Sequence, residues 1–184
     1  MSGVDRNLII IGGGSGGYVV AIRAVQLGFS VTIIEKDKIG GTCLNRGCIP
    51  TKALYKNAEI LNALQNVNEY GIELPEYSFD MAKIRSRKDD IVQKMRTGTE
   101  QLLAGNKIQI IKGEARFLDS DTLEVVSAEG EATVMRADRI IIATGSTPSV
   151  MPEPGMNSTK VITSDEVLDL DHVPKRMVVY GGGV

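Results

Sequence analysis

The sequence predicts an α/β fold with a parallel sheet, long helices and a small β-meander. Two apolar, strand-like runs near the N-terminus flank a glycine-rich turn and a helix-compatible stretch. A long amphipathic stretch occupies the middle of the chain. From Ile108 onward the hydrophobic period shortens to that of short strands joined by polar turns. The fold class rests on these three observations.

The N-terminal part is predicted to be a strand–helix–strand unit over residues 5–35. Residues 8–11 form an uninterrupted apolar run, which is typical of a parallel strand covered on both faces. Residues 18–27 favour a helix, and Gly28 stands where a left-handed helix cap is expected. Residues 31–35 form the second strand, so the crossover between the two strands should be right-handed.

The middle of the chain favours two long helices. The first covers residues 42–66 and is expected to be interrupted at Gly47 and Pro50. The second begins after a cap at Asp80 and ends with a cap at Gly105. Its apolar face is expected to consist of Met81, Ile84, Ile91, Met95, Leu102 and Leu103.

The last third is predicted to hold short strands and the start of a second fold. The strands are expected at residues 108–110, 114–117, 122–127, 132–136 and 139–143. Residues 175–180 are predicted to form a last apolar strand. Gly181 and Gly183 follow it, just as Gly12 and Gly14 follow the first strand of the chain. The alternative interpretation of these last residues is a glycine-rich tail. We therefore expect a nucleotide-binding domain at residues 1–150, a connector at 151–175, and the first strand and turn of a second nucleotide-binding domain at 176–184.

The composition is that of an ordinary globular protein and disfavours two classes of partner. Hydrophobic residues make up 42% and charged residues 24% of the 184 residues. A net charge of −2 offers no basic field for nucleic acid or an anionic membrane, and no apolar run reaches the ~18 residues that span a bilayer. Because the N-terminus lacks a secretory signal, we expect a cytoplasmic protein, whose paired cysteines are more often catalytic or metal-binding than structural.

Gly12, Gly14 and Gly17 predict a dinucleotide-binding turn. They follow a strand and open a helix, which is the context that this motif requires. The glycines permit a tight turn, backbone approach to a pyrophosphate and close helix–strand packing, while the helix N-terminus favours phosphate. Glu35 ends the second strand, where it is placed to bind a ribose hydroxyl and to repel a 2′-phosphate. Its alternative is a solvated strand end. The motif does not distinguish FAD from NAD.

Cys43 and Cys48 carry the most specific signal in the sequence. In an ideal helix, Cα atoms five residues apart are separated by about 8.7 Å. A disulfide requires Cα atoms within about 6.8 Å. Gly47 tolerates unusual dihedral angles, and Pro50 cannot donate a backbone hydrogen bond. Because the helix is most easily distorted at these two residues, the sequence permits a bridge that a regular helix would forbid.

A redox-active pair competes with two other interpretations of these cysteines. A position near a helix N-terminus, with Arg46 and Lys52 close in sequence, favours the reactive thiolate. A zinc half-site would have a different spacing and would need further cysteine or histidine ligands, so no metal site is expected. The second alternative is two unrelated buried thiols.

Residues 12–17, Glu35 and residues 40–52 resemble the pyridine nucleotide–disulfide oxidoreductases. The most specific part is GGTCLNRGCIPTKAL at residues 40–54, and the resemblance extends over essentially the whole chain. It also covers Gly113-Glu114-Ala115, residues 143–146 and the glycines at 181 and 183. The resemblance implies a Rossmann-like FAD-binding domain, with FAD in the first site and NAD in the second fold. It also favours the branch of the family that oxidises dihydrolipoyl groups.

The resemblance implies roles for individual side chains. Cys43 would meet the substrate disulfide and Cys48 would lie over the flavin, while Lys52 would stabilise negative charge on the reduced ring. The residues implied to contact FAD are Gly12, Gly14, Ser15, Gly17, Glu35, Lys36, Gly41, Thr42, Cys43, Cys48, Lys52, Gly113, Ala115, Ala143, Thr144 and Gly145. The alternative for Lys52 is a solvated helix lysine, and for Ala115, Thr144 and Gly145 it is ordinary turn geometry at strand ends.

Other parts that the family uses are expected to be missing from these residues. The catalytic base of the family is a histidine from a C-terminal interface domain, supplied across a homodimer. The histidine of this chain, His172, lies in a polar turn and is expected to be a surface residue. We therefore expect the 184 residues alone to be inactive and the full-length protein to be a homodimer.

Three functional hypotheses remain open from the sequence. In the first, a lipoyl-bearing protein or a small disulfide substrate exchanges with a Cys43–Cys48 disulfide, and electrons pass through FAD to NAD+. In the second, the same chemistry serves mercuric ion, a coenzyme A disulfide or glutathione. In the third, the chain is a non-catalytic dinucleotide-binding module whose structural disulfide resists reductants.

Overall fold

A computed structural model describes residues 6–182 and contains two sheets with helices packed on one of them. The strands are β1 (Arg6–Ile11), β2 (Phe29–Glu35), β3 (Gln109–Lys112), β4 (Glu114–Phe117), β5 (Thr122–Val126), β6 (Ala132–Arg136) and β7 (Arg139–Ile142). The α-helices are α1 (Ser15–Gln26), α2 (Gly41–Arg46), α3 (Cys48–Gln65), α4 (Met81–Gly105) and α5 (Ser164–Val167), and a 3₁₀ turn covers Val67–Tyr70. Among the described residues, no helix is long and apolar enough to cross a bilayer.

The larger sheet is parallel, with strand order β3-β2-β1-β7. Alternate residues of β1 point to opposite faces of the sheet, and Ile9 and Ile10 are both fully buried. Helix α1 and the end of α4 cover one face, where Ala21 and Leu103 pack with Ile10. The other face packs against the antiparallel sheet β4-β5-β6 through Leu123. This two-sided burial explains the uninterrupted apolar run that predicted β1.

The long helix after Phe79 begins as predicted but differs at its end and in its buried face. The Asp80 side chain accepts a hydrogen bond from the Lys83 amide at 3.2 Å, which confirms the cap. Gly105 is not the cap, because it is the last residue of the helix and Asn106 is the C-cap. The left-handed residue is Lys107, with φ 60°. The predicted apolar face was also wrong in part. Met95 and Leu102 are exposed, whereas Lys88 and Val92 are buried.

The helix predicted over residues 42–66 is broken once, at Gly47, which separates α2 from α3. Pro50 does not interrupt the helix, contrary to the prediction. It lies in the first turn of α3, where the first helical bond runs from the Thr51 amide to the Gly47 carbonyl oxygen. Because amides of a first helical turn have no intrahelical partner, a residue without an N–H is tolerated there.

Residues 175–180 do not form the predicted strand. No strand in the described part of the chain lies beside them, and Val178 and Tyr180 are 94% and 81% exposed. An apolar run becomes a strand only where a neighbour accepts its hydrogen bonds, and periodicity alone does not reveal that neighbour. Gly183 of the predicted second glycine motif lies outside the described residues.

Candidate functional site

The glycine turn after β1 lies at the carboxyl edge of the parallel sheet. The Gly12 amide donates to the Ile34 carbonyl oxygen at 2.8 Å, and the Ala143 amide donates to the Ile11 carbonyl oxygen at 2.8 Å. Gly12 has φ 107°, and a Cβ placed on it would overlap the carbonyl oxygen of Ala143. Only glycine therefore fits where β1 and β7 end side by side.

Helix α1 opens directly from this turn, and its first-turn amides have no partner within the helix. Its N-cap is Gly14, which provides no side-chain hydrogen bond, and Ser15 and Gly16 are exposed. A Cβ on Gly17 would overlap the Gly12 carbonyl oxygen, so the helix packs tightly on the turn. The first-turn amides of α1, at the positive end of its dipole, form a surface suited to an anion.

Glu35 is held against the glycine turn. Its carboxylate accepts hydrogen bonds from the Gly13 amide at 2.7 Å and from the Asp37 amide at 2.8 Å. These two hydrogen bonds hold the Glu35 carboxylate in a fixed orientation beside the turn. Glu35 is therefore not simply a solvated strand end. The Gly13 amide contact was not expected from the sequence.

The other predicted residues at the ends of strands lie along the same sheet edge. Gly113 follows β3 and is buried, with its amide donating to the Glu35 carbonyl oxygen at 3.0 Å. Thr144 and Gly145 follow β7 and are exposed. In parallel sheets, ligands bind beyond the carboxyl ends of the strands.

Two further predicted residues stand near this edge, next to Gly113. Ala115 is half-buried in β4, opposite Val125. Lys36 forms an exposed ion pair with Glu114 at 3.1 Å. The Lys36 ammonium group is therefore paired with a carboxylate of the protein itself.

The segment that carries the cysteines is joined to the glycine turn. The Gly40 amide donates to the Gly13 carbonyl oxygen at 2.8 Å, and Gly14 and Gly40 form an isolated parallel bridge. A Cβ on Gly41 would lie 2.6 Å from the Cα atom of Gly14. Thr42 follows in the first turn of α2 and is exposed. Glycine is thus needed at residue 41 for the two backbones to approach.

Cys43 and Cys48 form a disulfide across the helix break. Their Cα atoms are 4.7 Å apart, within bonding range and well below the separation in a continuous helix. Gly47 makes the close return possible, because a Cβ there would lie 3.0 Å from the Thr42 carbonyl oxygen. Both cysteines are exposed, so the alternative of two separate buried thiols is wrong.

The charges around the disulfide differ from the expectation. Arg46 pairs with Asp37 and lies 4.0 Å from a carboxylate oxygen of Asp165, so its charge is engaged by carboxylates. Lys52 is exposed and forms no ion pair with the residues from 6 to 182. It follows Cys48 by one turn of α3, and the two side chains therefore share a helix face.

Sequence reasoning missed the polar residues that hold the cysteine segment in place. Asn45 donates from Nδ2 to the carbonyl oxygens of Ile39 and Gly41, both at 3.0 Å. Asp37 and Asp165 bind Arg46 from two different parts of the chain. The available signal was the pair of polar residues, Asn45 and Arg46, between the cysteines.

His172 occupies an exposed turn and contacts Asp171, with its Nδ1 atom 2.6 Å from the carboxylate. The contact holds the pKa of Asp171 below its ordinary value, through the hydrogen bond and the imidazole charge. This local surface pair agrees with the interpretation of His172 as a surface residue.

A family model described as pyridine nucleotide-disulphide oxidoreductase matches residues 6–184. The chain belongs to this family. Relatives named dihydrolipoyl dehydrogenase include those of Bacillus subtilis (38% identical over 188 residues), Geobacillus stearothermophilus (43% over 180) and Pisum sativum (41% over 185, a protein named mitochondrial). The matches cover 98–99% of this oxidoreductase chain but only 37–40% of the relatives' lengths. The cytoplasmic location predicted from the sequence therefore remains a prediction.

Proposed function

We propose that this chain is the FAD-binding part of a dihydrolipoyl dehydrogenase. The observation that carries the proposal is the exposed Cys43–Cys48 disulfide, hydrogen-bonded through its own segment to a glycine turn suited to a dinucleotide. The names of the relatives support dihydrolipoyl groups as substrate. The homodimer, the NAD-binding fold beginning at residue 176 and the catalytic base are proposed for the full-length protein.

The described residues fit the dinucleotide part of FAD. The uncapped amides of α1 would hold the diphosphate, and space at Gly16 is open because no atom lies within 4 Å of a Cβ placed there. Glu35, fixed by two backbone amides, is oriented to accept hydrogen bonds from a ribose. Ala115, Thr144 and Gly145 would border the same ligand along the sheet edge.

The second half of the site surrounds the disulfide. Gly41 and Thr42 stand between the glycine turn and the sulfurs, where they would contact the middle of the cofactor. Cys48 begins α3, so the positive end of that helix favours a thiolate at this residue. Lys52 presents on the same helix face a cation that forms no ion pair within residues 6–182. FAD, when bound, supplies the acceptor for the two electrons that the thiols release.

Thiol exchange at the disulfide accounts for substrate oxidation. A thiolate of a dihydrolipoyl group attacks Cys43 and forms a mixed disulfide, while the Cys43–Cys48 bond breaks and Cys48 leaves as a thiolate. The second substrate thiolate then attacks the mixed disulfide at the substrate sulfur, which closes the lipoyl disulfide and releases Cys43. The substrate loses two electrons and the cysteine pair gains them. The helix terminus stabilises the thiolate that leaves first.

The proposal is tested by exposing the 184-residue chain to dihydrolipoamide and counting free thiols by alkylation and mass spectrometry. We expect two new thiols per chain in the wild type. In the Cys48→Ser variant the reagent is instead oxidised lipoamide, whose cyclic disulfide the Cys43 thiolate opens, and we expect a mixed disulfide at Cys43 once the released lipoyl thiol is alkylated. Glutathione and coenzyme A, compared at equal concentration, should react more slowly. A disulfide that resists all dithiols would support the non-catalytic module instead.

A steady-state assay with NAD+ and dihydrolipoamide completes the test. We expect no turnover by the 184 residues, because the proposed base and NAD-binding fold are absent from the described site. Sustained NADH production would show that the catalytic base had been misplaced.

A further inference from the structure

Two side chains between the cysteines fasten residues 43–48, here called the redox loop, to the rest of the domain. Asn45 binds two carbonyl oxygens on the N-terminal side of the loop. Arg46 reaches outward to Asp37, which follows β2, and toward Asp165 in α5. Arg46 and Asp37 are only half-exposed, with 47% and 42% of their side-chain surface accessible. The loop is thus tied to two separate chain segments.

The redox loop needs such ties because it contains the break between two helices. Arg46 is the last residue of α2 and Cys48 is the first of α3, so Gly47 alone interrupts one long helix. Joining the two helices after reduction would move the cysteine Cα atoms from 4.7 Å apart to about 8.7 Å apart. At that distance the bond could not re-form without breaking the helix again.

We infer that Arg46 is a positioning residue that keeps the redox loop closed while the cysteines are reduced. It acts through the ion pair with Asp37, supported by Asp165, which holds the end of α2 away from the axis of α3. The two thiols then remain close enough to re-form the disulfide. The inference deepens the proposed function and rests on it, because it supposes that the pair cycles between dithiol and disulfide.

A simple electrostatic effect of Arg46 on the thiolates makes a different prediction. Removing the guanidinium would disfavour thiolates and hence reduction, whereas removing the Asp37 carboxylate would favour them. Loss of positioning, in contrast, shifts the redox midpoint in the same direction for both substitutions. A looser loop lowers the effective concentration of one thiol at the other, so the disulfide becomes easier to reduce.

The test is a redox titration of the 184-residue chain in buffers of reduced and oxidised dithiothreitol, quenched by alkylation and read by mass spectrometry. In this equilibrium the reagent loses two electrons and two protons, and the protein disulfide becomes two thiols. We expect Arg46→Gln and Asp37→Asn each to shift the midpoint toward easier reduction by about two- to fivefold, as suits a half-exposed ion pair. The double variant should shift no further than either single variant.

The control is Arg116→Gln, which removes a comparable surface arginine paired with Glu124 at 2.6 Å on the β-meander, and it should leave the midpoint unchanged. Opposite shifts for the two loop variants, or no shift, would overturn the positioning role. A wild-type disulfide that resists the whole range of buffers would instead refute the proposed redox cycling, and this inference with it. Circular dichroism confirms that each variant is folded.

Discussion

Gly17 shows how a single missing side chain determines the shape of the dinucleotide turn. A Cβ at this position would overlap the Gly12 carbonyl oxygen and would lie 3.5 Å from Ile10. The oxygen belongs to the turn itself, which is fixed by hydrogen bonds to β2, so the neighbour cannot move away cheaply. The requirement at Gly17 is one of packing rather than backbone conformation.

We expect Gly17→Ala to destabilise the domain by about 1–3 kcal/mol, because it overpacks a rigid contact. The matched control is Gly98→Ala in α4, where a Cβ meets nothing within 4 Å. That change should instead stabilise the protein by about 0.5–1 kcal/mol, since alanine favours a helix interior. Urea unfolding of both variants measures the difference. Equal stability of Gly17→Ala and wild type would disprove the packing requirement.

At the scale of elements, α4 is held by a buried lysine. Lys88 is only 3% exposed, and its ammonium group contacts the Leu168 carbonyl oxygen at 3.0 Å, Asp169 at 2.5 Å and Asp89 at 2.9 Å. These contacts dock the segment after α5 onto α4. The hydrogen bond from Lys88 holds the pKa of Asp169 below its ordinary value of 3.8, although partial burial opposes the shift.

Asp169→Asn is expected to cost about 1–2 kcal/mol at pH 7, because it leaves a buried ammonium group with a weaker partner. The cost is modest since Asp169 is itself 61% exposed. Asp171→Asn serves as control, because within the described residues Asp171 pairs with exposed His172 alone, and it should cost less than about 0.5 kcal/mol. Denaturant unfolding at pH 7 measures both.

The same pair gives a pH dependence with a definite sign. A carboxylate whose folded-state pKa is depressed contributes stability above its unfolded pKa and loses that contribution as the pH falls through its folded value. The difference between wild type and Asp169→Asn should therefore be complete at pH 7 and shrink below about pH 4. A difference that stays constant down to pH 2.5 would contradict the assigned ion pair.

The elements differ in how far sequence could predict them. For β1, α1 and β2 the apolar runs and glycines are local signals, and the structure places all three within a few residues of the prediction. The buried face of α4 was mispredicted because Lys88 is buried by a partner 81 residues away. Residues 175–180 form no strand within the described residues, because an apolar run does not by itself supply a neighbouring strand.

The same distinction applies to the candidate site. The glycine turn and the cysteine pair were predictable because each is defined by residues that lie close together in the sequence. The contacts of Glu35 with Gly13 and of Arg46 with Asp165 were not, because they depend on how distant segments meet in the folded chain.

At the scale of the whole molecule, stability is distributed unevenly along the chain. The parallel sheet contains the fully buried residues of β1 and β2, whereas residues 175–180 are exposed and make no strand pairing in the described structure. Exposed backbone without hydrogen-bonded partners opens most easily to proteases. The C-terminal segment is therefore much less protected than the parallel sheet.

Brief digestion with trypsin should cut after Lys175 or Arg176, which are exposed, much earlier than after Lys88, which is buried in α4. Mass spectrometry of the fragments over time gives the order of cleavage. Early cleavage at Lys88 would show that α4 is not docked as described. The Asp169→Asn variant should bring cleavage at Lys88 forward while leaving the C-terminal cuts unchanged.

The hydrogen bond between the Gly40 amide and the Gly13 carbonyl oxygen connects the glycine turn directly to the segment that carries the cysteines. Thermodynamic linkage is reciprocal, so a ligand that prefers one arrangement of this contact alters the readiness of the sulfurs to accept electrons. The sulfurs, by the same factor, alter how tightly that ligand is held. Occupancy of the turn and oxidation state of the pair then become two measures of one equilibrium, joined through the backbone contacts of Gly13 and Gly14 with Gly40.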